Sequence, residues 1–156
     1  MTPLNLPDKL DLDGSFEKLL ARLYSVFKAD FIDKSVFYQG LPIVFDNRKV
    51  DSEYEEGFWH LVTRGKNERI PDFKRAKRIP WIRPIIERYP HEDILFWIEW
   101  DTDRRGRRVQ KHYFWYEERS YIVVLKKIPK RYFLTTAFYV TGRRNYLYYK
   151  NKYESA

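Results

Sequence analysis

Between residues 94 and 141 the chain offers four successive runs of strand-forming residues with very little between them. ILFWIEWD at 94–101, VQKHYFWYE at 109–117, SYIVVLKKI at 120–128 and YFLTTAFYVT at 132–141 are rich in aromatic and β-branched side chains, which suit a pleated surface. Their links are the arginine turn DRRGRR at 103–108, a tight turn near Glu118–Arg119 and the short segment PKR. Such links are too short for parallel crossovers and favour an antiparallel meander. This one feature predicts a sheet of about four strands.

The segment upstream reads differently. Pro3, Pro7 and Gly14 break residues 1–14 into an irregular arm. A helix is predicted over about 15–31, with Ser15 as its cap and Leu19, Leu20, Leu23, Val26 and Phe27 at helical spacing. Lys18 occupies the place where a capping box would need Glu or Gln. Residues 35–46 suggest two short strands around Gly40 and Pro42. The acidic stretch VDSEYEEG at 50–57 is expected to be exposed, and FWHLVTRGK after it suits an apolar strand or short helix. Residues 72–89 read as basic and mostly helical, with Pro80 and Pro84 as kinks or boundaries. The expected fold class is therefore α+β, with an N-terminal helix or helices packed on one face of a single antiparallel meander. Residues 15–145 read as one domain and 146–156 as a C-terminal tail or an extra strand.

Charge is unevenly spread. Formal net charge is +8, yet residues 1–60 hold seven Lys and Arg against eleven Asp and Glu, while residues 61–156 hold twenty-three against eleven. A basic region of this kind attracts polyanions. Thirteen Tyr, eleven Phe and five Trp add ring faces on which bases stack between cations. Together these features point to nucleic acid, RNA first. The same aromatics would equally furnish a Tyr-rich sheet. Zero cysteines exclude disulfides and thiolate zinc sites. No apolar run approaches the roughly 20 residues of a membrane helix, and the acidic, proline-broken N-terminus is not a secretory signal. The expected location is the cytoplasm, with no membrane partner.

Few residues suit chemistry. His60, His91 and His112 lie at no metal-ligand spacing, there is no Gly-rich phosphate loop, and no cofactor or metal is expected. Asp101 and Asp103 are expected to neutralise the neighbouring arginines. His60 stands in GFWHLVTRGK with Thr63, Arg64 and Lys66 close by, a grouping that could move a proton beside an anionic substrate. A structural histidine bonded to backbone is the competing reading. On the last run, alternation puts Leu134, Thr136 and Phe138 on one face and Thr135, Ala137 and Tyr139 on the other. Arg104, Arg105, Arg107 and Arg108, with Gly106 shaping the turn, would project from one end of the sheet toward phosphates, and Lys111 and Tyr139 are further candidate nucleic-acid contacts.

A helix, a His-bearing segment, a basic stretch and a meander ending in the run LTTAF at 134–138 resemble the ribonuclease superfamily of barnase, EndoU, the tRNA-cleaving colicins and RelE-type toxins. The resemblance covers roughly residues 40–140. It implies that His60 is the early histidine, Arg64 or Lys66 the phosphate-binding cation, and Thr136 the late hydroxyl, with Thr135 as its alternative and Tyr139 as a neighbour. The implied reaction is metal-independent: the ribose 2′-OH attacks the adjacent phosphate, leaving a 2′,3′-cyclic phosphate. A second proton-transfer group would be His112, Glu99 or a tyrosine. The chain lacks a second His shortly after the first, and lacks the usual proline after the TA-aromatic triplet. On this resemblance the protein is a toxin or mobile-element effector acting on tRNA or mRNA, with an acidic antitoxin or immunity protein as partner. The other readings are a non-catalytic RNA- or DNA-binding module and a basic domain that docks an acidic protein.

Overall fold

The computed structural model describes residues 4–11, 14–50, 53–65 and 70–156. Helix α1, Phe16–Phe27, is capped by the Ser15 hydroxyl, which accepts from the Lys18 N–H. It buries Leu19, Leu23 and Phe27 at four-residue spacing and runs into one π-helical turn, Lys28–Ile32. Strands β1, Phe37–Tyr38, and β2, Leu41–Val44, form a tight hairpin. Its turn places Gln39 and Gly40 at positive φ, as a two-residue primed turn requires.

The His-bearing segment is helical: α2 spans Glu56–Val62 and buries Phe58, Leu61 and Val62. Gly57 lets it approach the preceding chain, since a Cβ there would meet the Phe45 side chain at 3.0 Å and the Asp46 carbonyl at 3.1 Å. A small hairpin follows, β3 (Thr63–Arg64) with β4 (Ile70–Pro71). The basic stretch forms α3, Phe73–Ala76, a 3-10 turn at Ile79–Trp81, and α4, Ile82–Arg88. Pro84 lies in the first turn of α4, where its missing N–H breaks no helical bond.

Strands β5 (Ile94–Thr102), β6 (Arg108–Tyr116), β7 (Tyr121–Ile128) and β8 (Arg131–Tyr139) form the antiparallel meander. The expected arrangement is nevertheless corrected in four respects. Among the described residues the sheet has six strands in the order β1-β2-β8-β7-β6-β5, and it is mixed, because β2 adds to β8 in parallel through Ile43↔Tyr132 and Val44↔Phe133. Residues at the C-terminus form neither strand nor extended arm but helix α5, Gly142–Ser155. Helices also lie on both faces rather than one. The first face packs Leu125, Leu134, Phe114 and Tyr121 against α1, α2 and α4. The second packs Trp97, Trp115, Ile122 and Val124 against Tyr146, Tyr149 and Tyr153 of α5. Lys150 and the Tyr146 hydroxyl both bind Glu117 at 2.6 Å, and Lys152 binds Glu99 at 2.5 Å, fixing α5 at several points.

A β-bulge alters the expected alternation in β8. Val124 pairs with Thr136 and Leu125 with Leu134, so Thr135 is an extra residue. Leu134 and Thr136 consequently belong to opposite faces, with Leu134 in the first core and Phe138 against the second. Among the described residues no helix is long and apolar enough to cross a membrane.

Candidate nucleic-acid interface

The β5–β6 ladder ends at Thr102↔Arg108, leaving 103–107 as the turn. Asp103 builds it. Its Oδ1 accepts from the Arg105 and Arg107 N–H groups at 2.9 Å each, and its Oδ2 accepts from Arg107 Nε at 2.9 Å. Backbone bonds from Asp103 N to the Arg107 carbonyl and from Gly106 N to the Asp103 carbonyl complete the loop, with Gly106 at φ +76°. Donation from the Arg107 N–H, then from Arg105, holds the Asp103 carboxyl below the usual aspartate range.

The four arginines of the turn thus have different circumstances. Arg107 is tied to Asp103. The Arg108 guanidinium lies 4.5 Å from the centre of the Trp100 ring, a cation–π contact. Arg104 and Arg105 are exposed, and neither makes an ion pair with a described residue. Lys111 is committed to Asp101 at 2.9 Å. Trp100 is 56% exposed, and Ile98, two residues back on the same face, is also exposed. Gln110 pairs with Trp100 across the ladder, and the Lys127 ammonium lies 5.2 Å from the Tyr132 ring on the same face. This end of the sheet presents an indole, a short apolar strip and several cations together. Trp100 is not among the residues expected from the sequence, though a signal was there: it stands two residues beyond Ile98 on the strand that leads into the arginine turn.

The catalytic candidates gather elsewhere. His60 and Thr136 are neighbours, the Thr136 hydroxyl donating to the His60 carbonyl at 3.5 Å. Arg75 Nη1 donates to the same carbonyl at 3.0 Å and to that of Thr63 at 2.8 Å, so this guanidinium binds the C-terminal end of α2. Arg75 also lies 6.0 Å from the Phe138 ring. The sequence reading named Arg64 or Lys66 for the cation. Arg64 is exposed on β3, and Lys66 lies outside the described residues. A charged His60 would act on Asp46, whose carboxyl is held low chiefly by hydrogen bonds from Arg48. Thr135 is half-buried in the bulge, its buried hydroxyl unbonded among the described residues.

The other histidines are structural in geometry. His112 is 3% exposed, with Nδ1 3.3 Å from the Tyr38 hydroxyl and Nε2 3.2 Å from Gln110 Oε1. Burial, then Lys127, pushes its pKa down, which keeps the ring neutral. His91 Nδ1 accepts from the Asp93 N–H at 3.0 Å. Glu99 is held by Lys152. No group of three His, Cys, Asp or Glu among the described residues is placed to hold a metal ion. Tyr139 lies at the far end of the sheet, under the Arg78 guanidinium at 4.1 Å. Comparison with protein-family models, curated proteins and solved structures finds no match for this chain.

Proposed function

We propose that this protein binds single-stranded RNA at the β5–β6 end of its sheet. The carrying observation is Trp100, half-exposed, backed by Arg108 and beside Arg104 and Arg105, which no described carboxylate pairs. An exposed indole offers a stacking surface to an unpaired base, and arginines spaced around it offer phosphate contacts. The charge balance of residues 61–156 supports the same reading. Binding here needs no proton transfer. Oligonucleotide affinity measured across a salt series tests it, because each phosphate neutralised on a single strand contributes about −0.7 to the slope of log K against log salt. A steep slope is expected, and reversing the charge of Arg104, Arg105, Arg107 and Arg108 should flatten it while the fold persists. A flat slope in the unaltered protein would count against the proposal.

Cleavage of bound RNA is the second reading, favoured by one observation: the Thr136 hydroxyl and the Arg75 guanidinium both bond the His60 backbone carbonyl where α2 meets β8. Here His60 moves the proton and Arg75 takes the place proposed for Arg64 or Lys66. Loss of a general acid or base typically costs about two to four orders of magnitude in rate. Cleavage that survives a chelator and vanishes in His60→Ala, with RNA affinity retained, would support it. Intact RNA after long incubation with the unaltered protein would remove it.

A further inference from the structure

A second cationic site lies at the opposite end of the sheet. The arm crosses the 3-10 turn before α4 and is tied down there, Trp81 Nε1 donating to the Pro7 carbonyl at 2.7 Å and Leu10 N to the Lys77 carbonyl at 2.9 Å. Between arm, turn and the β7 entrance is an open cleft of about 500 Å³, within the size range of small-ligand sites. Lys9, Arg78 and Arg119 supply its cations, and Trp81, Tyr116 and Tyr139 its aromatic wall. Asp8 and Glu118 also line it, both exposed.

Arg78 is the anomaly. It is 7% exposed, and among the described residues no carboxylate comes within ion-pair reach of it. One guanidinium N–H is used, Nη1 donating to the Lys74 carbonyl at 2.5 Å. Nε is buried with no hydrogen-bond partner among the described residues. The guanidinium plane is held 4.1 Å from the Tyr139 ring and 5.5 Å from that of Trp81. Burying a charge with donors unspent is costly unless an anion completes it. Same-sign crowding is evident as well, since Arg78 is the largest influence pushing the Lys9 pKa down. Arg78 lines the cleft, and a guanidinium held against two rings with donors left over is the arrangement a planar oxyanion group accepts.

We infer that this cleft binds a phosphate monoester carrying an aromatic base, a nucleoside 5′-monophosphate, with Arg78 holding the phosphate, Lys9 and Arg119 closing over it, and Tyr139, the partly exposed ring of the lining, beside the base. The ligand is either the free nucleotide or the phosphorylated end of an RNA. The site shares no residue with the Trp100 end and stands without that reading. Calorimetric titration with AMP, adenosine, inorganic phosphate, and a short oligoribonucleotide with and without its 5′-phosphate tests it. AMP or the 5′-phosphorylated oligonucleotide should bind saturably, and at least about ten-fold more tightly than adenosine or the unphosphorylated strand, the scale of a lost charge-assisted bond. Binding of AMP identifies the free nucleotide, and binding of the phosphorylated strand alone identifies the RNA end. Arg78→Met should abolish the binding. Because that change touches a buried position, the exposed pair Lys9→Glu and Arg119→Glu is measured beside it and should weaken binding about ten-fold or more. Trp100→Ala should leave AMP binding unchanged. No saturable binding of either phosphorylated probe, equal binding of adenosine, or full binding by the Lys9→Glu, Arg119→Glu protein would overturn the inference.

Discussion

The two ends of the sheet gather cations in opposite ways. At the β5–β6 turn the arginines come from one short segment, and the same segment supplies the carboxylate that arranges them. Asp103 bonds residues two and four positions ahead, so the turn is a local structure with water around it. At the cleft the cations come from the arm, the 3-10 turn and the β6–β7 connection, and the central one is buried. Strand β6, nine residues long, joins the two regions, about 26 Å from its first Cα to its last. Clustered charge in a sequence thus marks a solvated site, which can gain or lose a cation cheaply. A charge buried by tertiary packing stakes part of the fold on having a counterion.

Stability should separate the two ends most sharply. Trp81 is buried, its ring against Tyr121 and Tyr116, while its indole N–H anchors the arm. Trp81→Ala should cost about 3–5 kcal/mol, as deletion of a buried tryptophan does. Trp100→Ala should stay within about 0.5 kcal/mol, as exposed substitutions do. Chemical denaturation of both variants checks this, and equal losses would erase the distinction between the ends.

A smaller effect concerns charge. For each phosphate that Arg104 or Arg105 neutralises, the reversal Arg104→Glu or Arg105→Glu should reduce the salt slope of RNA binding by about 0.7, with the melting temperature unmoved. The same reversals should leave the Arg78 cleft unaffected in a titration with AMP.

The smallest effect is local and pH-dependent. The Asp103 carboxyl is held below its ordinary value, so its contribution to turn order is present above the unfolded-state pKa of about 3.9 and is lost as pH falls through the lower folded-state value. Amide shifts of Arg105 and Arg107 should be constant from neutral pH to about pH 5 and move only in stronger acid. Movement near pH 6 would show that another group orders the turn.

Much of the fold could be read in advance where the signal was local. The four β runs at 94–141 and the apolar spacing of Leu19, Leu23 and Phe27 declared themselves. The two short strands at 35–46 were legible too, but the place of β2 in the sheet was not, because its parallel pairing with β8 joins Ile43 to Tyr132, and neither short run names its partner. Helix α5 was missed because NYLYYKNKY is tyrosine-rich and tyrosine favours strands. The overlooked signal was that Tyr146, Tyr149 and Tyr153 share one helical face, and packing against Trp115 and Phe138 outweighs the weak intrinsic preference. The bulge at Thr135 has no signature in an alternating pattern, and it moved Thr136 to the face opposite Leu134. The resemblance named His60 and Thr136, which touch only through the His60 backbone carbonyl, and it did not name Arg75, since nothing in DFKRAKR distinguishes a guanidinium that turns inward. Arg78 escaped for the same reason.

RNA binding at the β5–β6 end rests on Trp100 acting as a base-stacking surface. The decisive measurement is the affinity of a fluorescent single-stranded oligoribonucleotide for the unaltered protein and for Trp100→Ala. Loss of one base–aromatic stack is worth about 1–3 kcal/mol, so the variant should bind roughly 5- to 160-fold more weakly with the salt slope preserved. Equal affinities of a folded Trp100→Ala and the unaltered protein would show that no base stacks there.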